Sequence, residues 1–373
     1  MKNSVYDAIV VGAGVAGCNI AYMLHQRGLK VLIVDQACDV ASGGSGAAGA
    51  FVSPKIGKAS ALHTLTNDSF IFAKEFYKKY FPSFFHQSGV VRIPKDAQDN
   101  EKFALYREHN IDNFQDFSSQ DIESIGIQST FDGFLFDEAG FCDSKELCGA
   151  LIKDIEFKSM DVRNISKSEN GWSVNEKLHT RYLILATGYK TNLVNLDYMG
   201  IRATWGSRGD FKTTLSVTKS IHKDLSISQN VEGMIKIGAT HNKAHAPCLS
   251  CHNEPLKPLL QKASQLIDTS KLELVQTFCG MRSGSHDYFP LVGGVVDVEY
   301  MFANYPNLKR GQKAELKMHK NLFVLNGLGG RGFVFAPLMS EMLAKHIVDD
   351  AKLDERINPN RLFLKWCRRL NRS

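Results

Sequence analysis

"YDAIVVGAGVAGCNIAYMLHQRGLKVLIVD", residues 6–35, decides the fold. An apolar run reaches Val11, a glycine-rich turn follows, a helical pattern closes at Gly28, and "KVLIVD" restores a strand. The reading is a complete strand–helix–strand unit. Gly12, Gly14 and Gly17 stand in the GxGxxG spacing at the first junction. There the first glycine permits a tight turn, the second lets backbone approach a pyrophosphate, and the third lets helix and strand pack closely. The helix N-terminus offers amides to phosphate oxygens. Asp35, at the end of the second strand, is placed to accept hydrogen bonds from ribose hydroxyls.

Working outward, three further segments extend this unit. "ASGGSGAAGAFVSPK" (41–55) follows the second strand, and its density of small residues suggests backbone lying against a flat ligand. Ser42, Gly43, Gly44 and Ala47 are its candidate contacts. "YLILATGY" (182–189) reads as a buried strand that delivers Gly188 to the nucleotide. "NLFVLNGLGGRGFVFAPLMSEMLAKHIVDD" (321–350) reads as strand, glycine loop and a helix beginning near Pro337, with Gly329, Gly330, Arg331, Gly332 and Phe333 at the loop. A helix N-terminus aimed there would stabilise negative charge on a reduced flavin.

The remaining composition sets bounds. The chain has 373 residues, 43% hydrophobic and 23% charged, which suits a globular protein of about two domains. No secretory pattern opens it and no 18-residue apolar run occurs, so a cytoplasmic location without stable membrane insertion is expected. Eight scattered cysteines suit reduced thiols better than a disulfide framework. The net charge of +6 is concentrated: residues 361–373 carry +5, and residues 181–223 another +5 with interleaved aromatics. A solvated surface and a polyanionic partner are both open readings. "THNKAHAPCLSCH" (240–252) gathers His241, His245, Cys248 and Cys251, which suits either a zinc site or a polar loop with free thiols.

Taken in order, these segments resemble the FAD-dependent D-amino-acid-oxidase superfamily, which includes glycine and sarcosine oxidases. "FCGMRSGSHDYFPLVG" (278–293) and "LNGLGGRGFVFAPLMSEMLA" (325–344) look most like the flavin domain of the MnmC family of bifunctional tRNA wobble-uridine modification enzymes. The resemblance implies an α/β fold: a Rossmann-like FAD-binding domain with a discontinuous α+β substrate domain on an antiparallel sheet. Residues 1–80, 130–200 and 290–373 would form the first, and 81–129 and 201–289 the second. Strands "GVVRIP" (89–94), "TTLSVTK" (213–219) and "GMIKIGAT" (233–240) would roof the flavin, with a helix over 60–81 covering it.

The resemblance also implies oxidation of an N-substituted glycine, most specifically the carboxymethylaminomethyl group at C5 of a tRNA wobble uridine, releasing glyoxylate. Arg282 occupies the Gly-x-Arg position that clamps a substrate carboxylate in the related oxidases, a task suited to a planar guanidinium fork. The plainer reading of Arg282 is a salt bridge to Asp287 or another carboxylate beside the turn. His286, Tyr288 and Lys55 are neighbours without an assigned role. Two departures stand out: Asp35 replaces the usual glutamate, and no methyltransferase domain accompanies the chain, so a methylating step would need a separate protein. A free glycine, sarcosine or D-amino-acid oxidase and a non-catalytic flavoprotein RNA-binding module are the rival functions.

Overall fold

The computed structural model describes residues 5–110, 113–190, 192–242 and 256–371. Strand β1 (Val5–Val11), helix α1 (Val15–His25) and strand β2 (Val31–Asp35) form the expected unit, with β1 and β2 parallel from Ala8↔Val31 to Val11↔Val34. Ala8, Ile9, Val10, Leu32, Ile33 and Val34 are fully buried, because both faces of the sheet are covered. Helix α2 (Ala61–Tyr80) starts where the Ser60 side chain accepts a hydrogen bond from the His63 amide at 3.1 Å.

The chain then leaves this layer for β3 (Val90–Arg92) and β4 (Gly133–Phe136), an antiparallel pair. It returns through β5 (Glu156–Ser159), parallel to β2, and β6 (Leu178–Leu185), parallel to β1. A second excursion supplies β7 (Arg202–Thr213), β8 (Ser220–His222), β9 (Met234–Gly238) and β10 (Leu272–Gly284). The chain comes back as β11 (Leu291–Val296) and β12 (Met318–Asn326), and ends in helices α3 (Gly332–Asp349) and α4 (Phe363–Arg369).

Two large sheets result. The first runs β5-β2-β1-β6-β12 in parallel, with β11 antiparallel at the edge. The second runs β10-β7-β9, then Ser226–Ile227, β8, β3, β4 and Gln115–Phe117. Its pairs are antiparallel except β8 with β3. Ile122, Leu259 and Ala263, from two short helices, share one buried cluster with apolar side chains of this sheet, Ile221, Ile235 and Ile237 among them. This is the α/β architecture with an antiparallel roof that the sequence predicts.

Several details differ from expectation. The stretch 214–219 of "TTLSVTK" is not strand; the roof uses β7 just before it and β8 just after, because Thr213 and Asn230 divert the backbone through side-chain hydrogen bonds at Leu215. Strand β4 lies in the roof although 130–200 was assigned to the nucleotide layer. Helix α3 begins at Gly332, five residues before Pro337, which sits inside it. Helix α2 packs against α3, not over the roof, because its buried face presents Phe70, Ala73, Phe76 and Tyr77 to the nucleotide-side core.

Candidate functional site

A cavity of about 730 Å³ lies between the C-terminal ends of the parallel strands and the roof. Gly12, Gly14, Asp35, Ser42, Gly43, Gly44, Gly188, Gly329, Gly330, Arg331, Gly332, Phe333 and Arg282 all line it. Gly17 and Ala47 do not, for a clear physical reason. A Cβ on Gly17 would stand 1.8 Å from the Gly12 carbonyl oxygen, so Gly17 serves the contact between helix and turn. Ala47 packs behind the loop against Gly280 of β10.

The turn after β1 lies on the cavity wall and is tightly constrained. Gly12 has φ +108°, and a Cβ there would lie 2.4 Å from the Ala186 carbonyl oxygen. The Asp35 carboxylate accepts hydrogen bonds from the Ala13 amide at 2.7 Å and the Ala37 amide at 2.9 Å. It therefore holds the turn while remaining on the cavity wall. Ser45 Oγ accepts from the Val15 amide at 2.9 Å, a role the sequence did not single out.

The small residues at 41–49 do more than face a ligand. A Cβ on Gly44 would meet the Met281 carbonyl oxygen at 2.4 Å, so this loop is also the joint between nucleotide layer and roof. At the far side, Asn326 Nδ2 donates to the Gly188 carbonyl at 2.7 Å, and Ser283 Oγ donates to Asn326 Oδ1. Neighbouring Gly284 bridges to Leu328. The first turn of α3 has no side-chain cap, so its N-terminal amides are directed at the cavity where Gly332 and Phe333 line it. Glycine cradle, ribose-side carboxylate and uncapped helix end fit a bound FAD.

Arg282 enters from the roof, near the end of β10. Its Nη1 donates to the Thr240 carbonyl at 3.1 Å and lies 3.3 Å from His241 Nδ1. Burial lowers its pKa from the ordinary guanidinium value. No carboxylate pairs with it among the described residues. Asp287 is engaged elsewhere: Arg361 Nε and Nη2 donate to its two oxygens at 3.1 and 3.0 Å. Asp287 is thereby excluded as the partner of Arg282. Space for the guanidinium comes from Gly206 on β7, where a Cβ would stand 2.4–2.7 Å from it. The Trp205 indole, packed with Met281 on the other face of β7, also lines the cavity, and its buried Nε1 has no partner among the described residues.

The other candidates are dispersed. His286 faces Arg202, with 3.1 Å between its Nδ1 and Arg202 Nη2, and Tyr288 is 71% exposed; neither lines the cavity. Arg331 Nη1 donates to the Ser53 carbonyl at 3.1 Å. Of the zinc candidates, His241 is a cavity residue beside Arg282, whereas His245, Cys248 and Cys251 lie outside the described residues.

The basic segments are less uniform than their charge count implies. Arg208, within 181–223, is 3% exposed, pairs with Asp210 and donates to the Ala48 carbonyl. In the C-terminal segment Arg361 is held by Asp287, while Phe363 and Cys367 are buried and Phe363 packs on Tyr198 and Trp366. Only Lys365, Arg368 and Arg369 of that helix present charge to solvent. No described helix is long and apolar enough to cross a membrane.

Sequence and structure comparisons agree with this geometry. The family model described as FAD dependent oxidoreductase (DAO) matches residues 7–346. The chain is 26% identical over 376 residues to the tRNA 5-methylaminomethyl-2-thiouridine biosynthesis bifunctional protein MnmC of Campylobacter concisus, covering 96% of this chain and 59% of that protein. The protein of the same description from Legionella pneumophila is 26% identical over 390 residues, with 96% and 57% covered. The chain thus spans less than two thirds of the length of these curated relatives. Glycine oxidase from Bacillus cereus superposes with a TM-score of 0.75 at 19% identity, covering 93% of this chain and 96% of that one. Glycine oxidase from Geobacillus kaustophilus does so with 0.76 at 16% identity, covering 94% and 96%. The chain belongs to the DAO family of FAD-dependent oxidoreductases.

Proposed function

We propose that this FAD-dependent amine oxidoreductase oxidises the C–N bond of an N-carboxymethyl amine, and that its substrate is the carboxymethylaminomethyl group at C5 of a tRNA wobble uridine. The observation that carries the reading is Arg282: a cavity-wall guanidinium with no carboxylate partner among the described residues. A buried cation without its counter-ion is costly, and a substrate carboxylate supplies one. The similarity to MnmC proteins of tRNA 5-methylaminomethyl-2-thiouridine biosynthesis supports the tRNA-borne form of that carboxylate.

FAD, when bound, supplies the two-electron acceptor. The glycine turn of Gly12 and Gly14 would hold its pyrophosphate, and Asp35 its ribose. Arg282 holds the substrate carboxylate in a two-pronged grip, with Gly206 leaving the room and the Thr240 carbonyl fixing the fork. The substrate's glycyl carbon loses hydride, the resulting imine adds water, and glyoxylate leaves an aminomethyl uridine. No general base is required, since a neutral amine loses hydride directly.

The remaining elements of the reading are a cytoplasmic site of action, and a methyltransferase activity supplied elsewhere to methylate the aminomethyl product. Lys365, Arg368 and Arg369 are the tail residues positioned to meet tRNA phosphates. The test is incubation of the flavin-loaded protein with tRNA carrying the carboxymethylaminomethyl group, followed by mass spectrometry of the wobble nucleoside and assay for glyoxylate. Conversion to the aminomethyl nucleoside supports the reading. Glyoxylate from free glycine or sarcosine alone replaces it with the amino-acid oxidase, and a flavin that no amine bleaches anaerobically replaces it with a binding module.

A further inference from the structure

The cavity holds a second concentration of positive charge that the clamp at Arg282 does not use. Arg92, the last residue of β3, lines the cavity and donates from Nη2 to Ser53 Oγ at 3.1 Å and to the Pro54 carbonyl at 3.0 Å. Its Nε is shut off from solvent with no hydrogen-bond partner among the described residues. Arg331 reaches the same turn, through the Ser53 carbonyl at 3.1 Å. His222, 8% exposed, stands against Phe51, with ring centroids 4.6 Å apart, and its Nε2 is likewise buried and unpartnered. Its Nδ1 meets Ser226 Oγ. With the serine hydroxyl donating to Nδ1, the neutral ring keeps its proton on Nε2, where no acceptor meets it among the described residues.

The electrostatics point the same way. Neither Arg92 nor Arg331 forms an ion pair with a carboxylate among the described residues. Burial pushes Arg92 down to about 9, helped by repulsion from Arg331, and burial pushes Arg331 down to about 10. Burial, followed by these two guanidiniums, drives His222 well below the ordinary imidazole range. Lys55 behind the turn is depressed by burial and then by Arg331 and Arg92. Two guanidiniums, both still charged at neutral pH, thus share one desolvated corner. Unpaired buried charge of one sign destabilises a fold unless a ligand compensates it.

We propose that Arg92 and Arg331, with His222 Nε2, form a second oxyanion subsite in the cavity, separate from Arg282, that takes a carboxylate or phosphate group carried by the substrate. The stem of Arg282 runs within 3.9 Å of the Cβ position of Gly330, so the two subsites flank the Gly329–Gly330 turn. The proposal rests on the reading of this cavity as the substrate chamber, and it makes the preferred substrate a dianion: one anionic group at each subsite. For a nucleotide the second group is a phosphate; for a small amine it is a second carboxylate.

The test titrates the flavin-loaded full chain with acetate, with the dicarboxylates malonate, succinate and glutarate, and with inorganic phosphate, reading each Kd from the perturbation of the visible flavin spectrum. At least one dicarboxylate is expected to bind at least tenfold more tightly than acetate. In Arg92→Met that advantage disappears while acetate affinity changes less than threefold; in Arg282→Met acetate affinity itself falls. Phosphate binding that falls tenfold in Arg92→Met, without a dicarboxylate advantage in the unaltered protein, assigns the subsite to phosphate. Unchanged affinities for every anion in Arg92→Met overturn the subsite. So does a shifted spectrum of the anion-free variant with unchanged anion affinities, which would mean that Arg92 faces the flavin. If Arg92→Met does not retain flavin, Arg92→Lys and Arg331→Lys make the same comparison with the charge kept. Failure of N-carboxymethyl amines to reduce the flavin would remove the proposed reaction and leave these binding constants standing.

Discussion

The hydroxyl of Tyr77 on α2 donates a 3.0 Å hydrogen bond to the main-chain carbonyl of Phe333, on the first turn of α3. That carbonyl is the one that Pro337, lacking an N–H, cannot satisfy from four residues on. The phenol thus permits a proline inside the helix whose N-terminus faces the cavity. Tyr77→Phe leaves the buried carbonyl unmet, at a cost of about 1–3 kcal/mol. Thermal unfolding should show a lower Tm and faster loss of flavin on dilution. A Tm unchanged in both apo and FAD-loaded protein would mean that another donor reaches Phe333.

Gly12 tests the cradle. With φ +108° and the Ala186 carbonyl 2.4 Å from its Cβ position, Gly12→Ala must move the turn that faces the pyrophosphate. Unaltered apoprotein should gain about 2.7 kcal/mol of stability from FAD at a hundredfold its Kd. Gly12→Ala should be colourless and gain almost none, measured as Tm with and without FAD.

Gly206 and Arg282 should behave as a pair. Arg282→Lys keeps the charge but loses the fork, and kcat/KM for a carboxylate-bearing amine should fall about 10- to 100-fold, as expected for about 1.5–3 kcal/mol of charged hydrogen bonding. Gly206→Ala displaces the same guanidinium from the neighbouring strand, so KM should rise while folding stability stays within about 1 kcal/mol of the unaltered protein. Normal steady-state constants for both variants would remove Arg282 from substrate binding.

The pair Arg361–Asp287 gives a pH-dependent prediction. Burial alone would raise the Asp287 carboxyl, but the Arg361 guanidinium outweighs it and holds the group below the usual carboxylate range. A depressed folded-state pKa contributes stability that is fully present above the unfolded value of about 3.9 and is lost as pH falls through the folded value. Asp287→Asn should therefore lower Tm by a constant few degrees from pH 8 to about pH 5. The difference should shrink below about pH 4, measured by calorimetry.

The exposed tail charges carry the prediction about nucleic acid. Reversing Lys365, Arg368 and Arg369 to glutamate should weaken tRNA binding and reduce the slope of log K against log salt by about 2 to 3, since each lost phosphate contact removes about 0.7–0.9. An unchanged slope would make α4 purely a cap on the domain, where Phe363 already packs on Tyr198.

Local regularities in the sequence determined the nucleotide layer of this protein. The period of "YDAIVVGAGVAGCNIAYMLHQRGLKVLIVD", its three glycines and its terminal aspartate are short-range features, and each maps to one turn or strand end in the fold. Small residues at 41–49 and 327–332 were legible for the same reason, since close approach of backbone leaves no room for side chains. Partners far apart in the chain were not legible. That Asp287 does not hold Arg282 depended on Arg361, 74 positions beyond Asp287, and the room for the Arg282 guanidinium depended on a missing Cβ at Gly206. Arg92 stood in "GVVRIP" as a lone charge in an apolar strand, a signal without a direction. The parallel pairing of β3 with β8 places it with His222, and the turn at Ser53 places it with Arg331. Charge compensation and desolvation are sums over neighbours in space, so only the tertiary structure decided which cations were already paired and which had no carboxylate partner among the described residues.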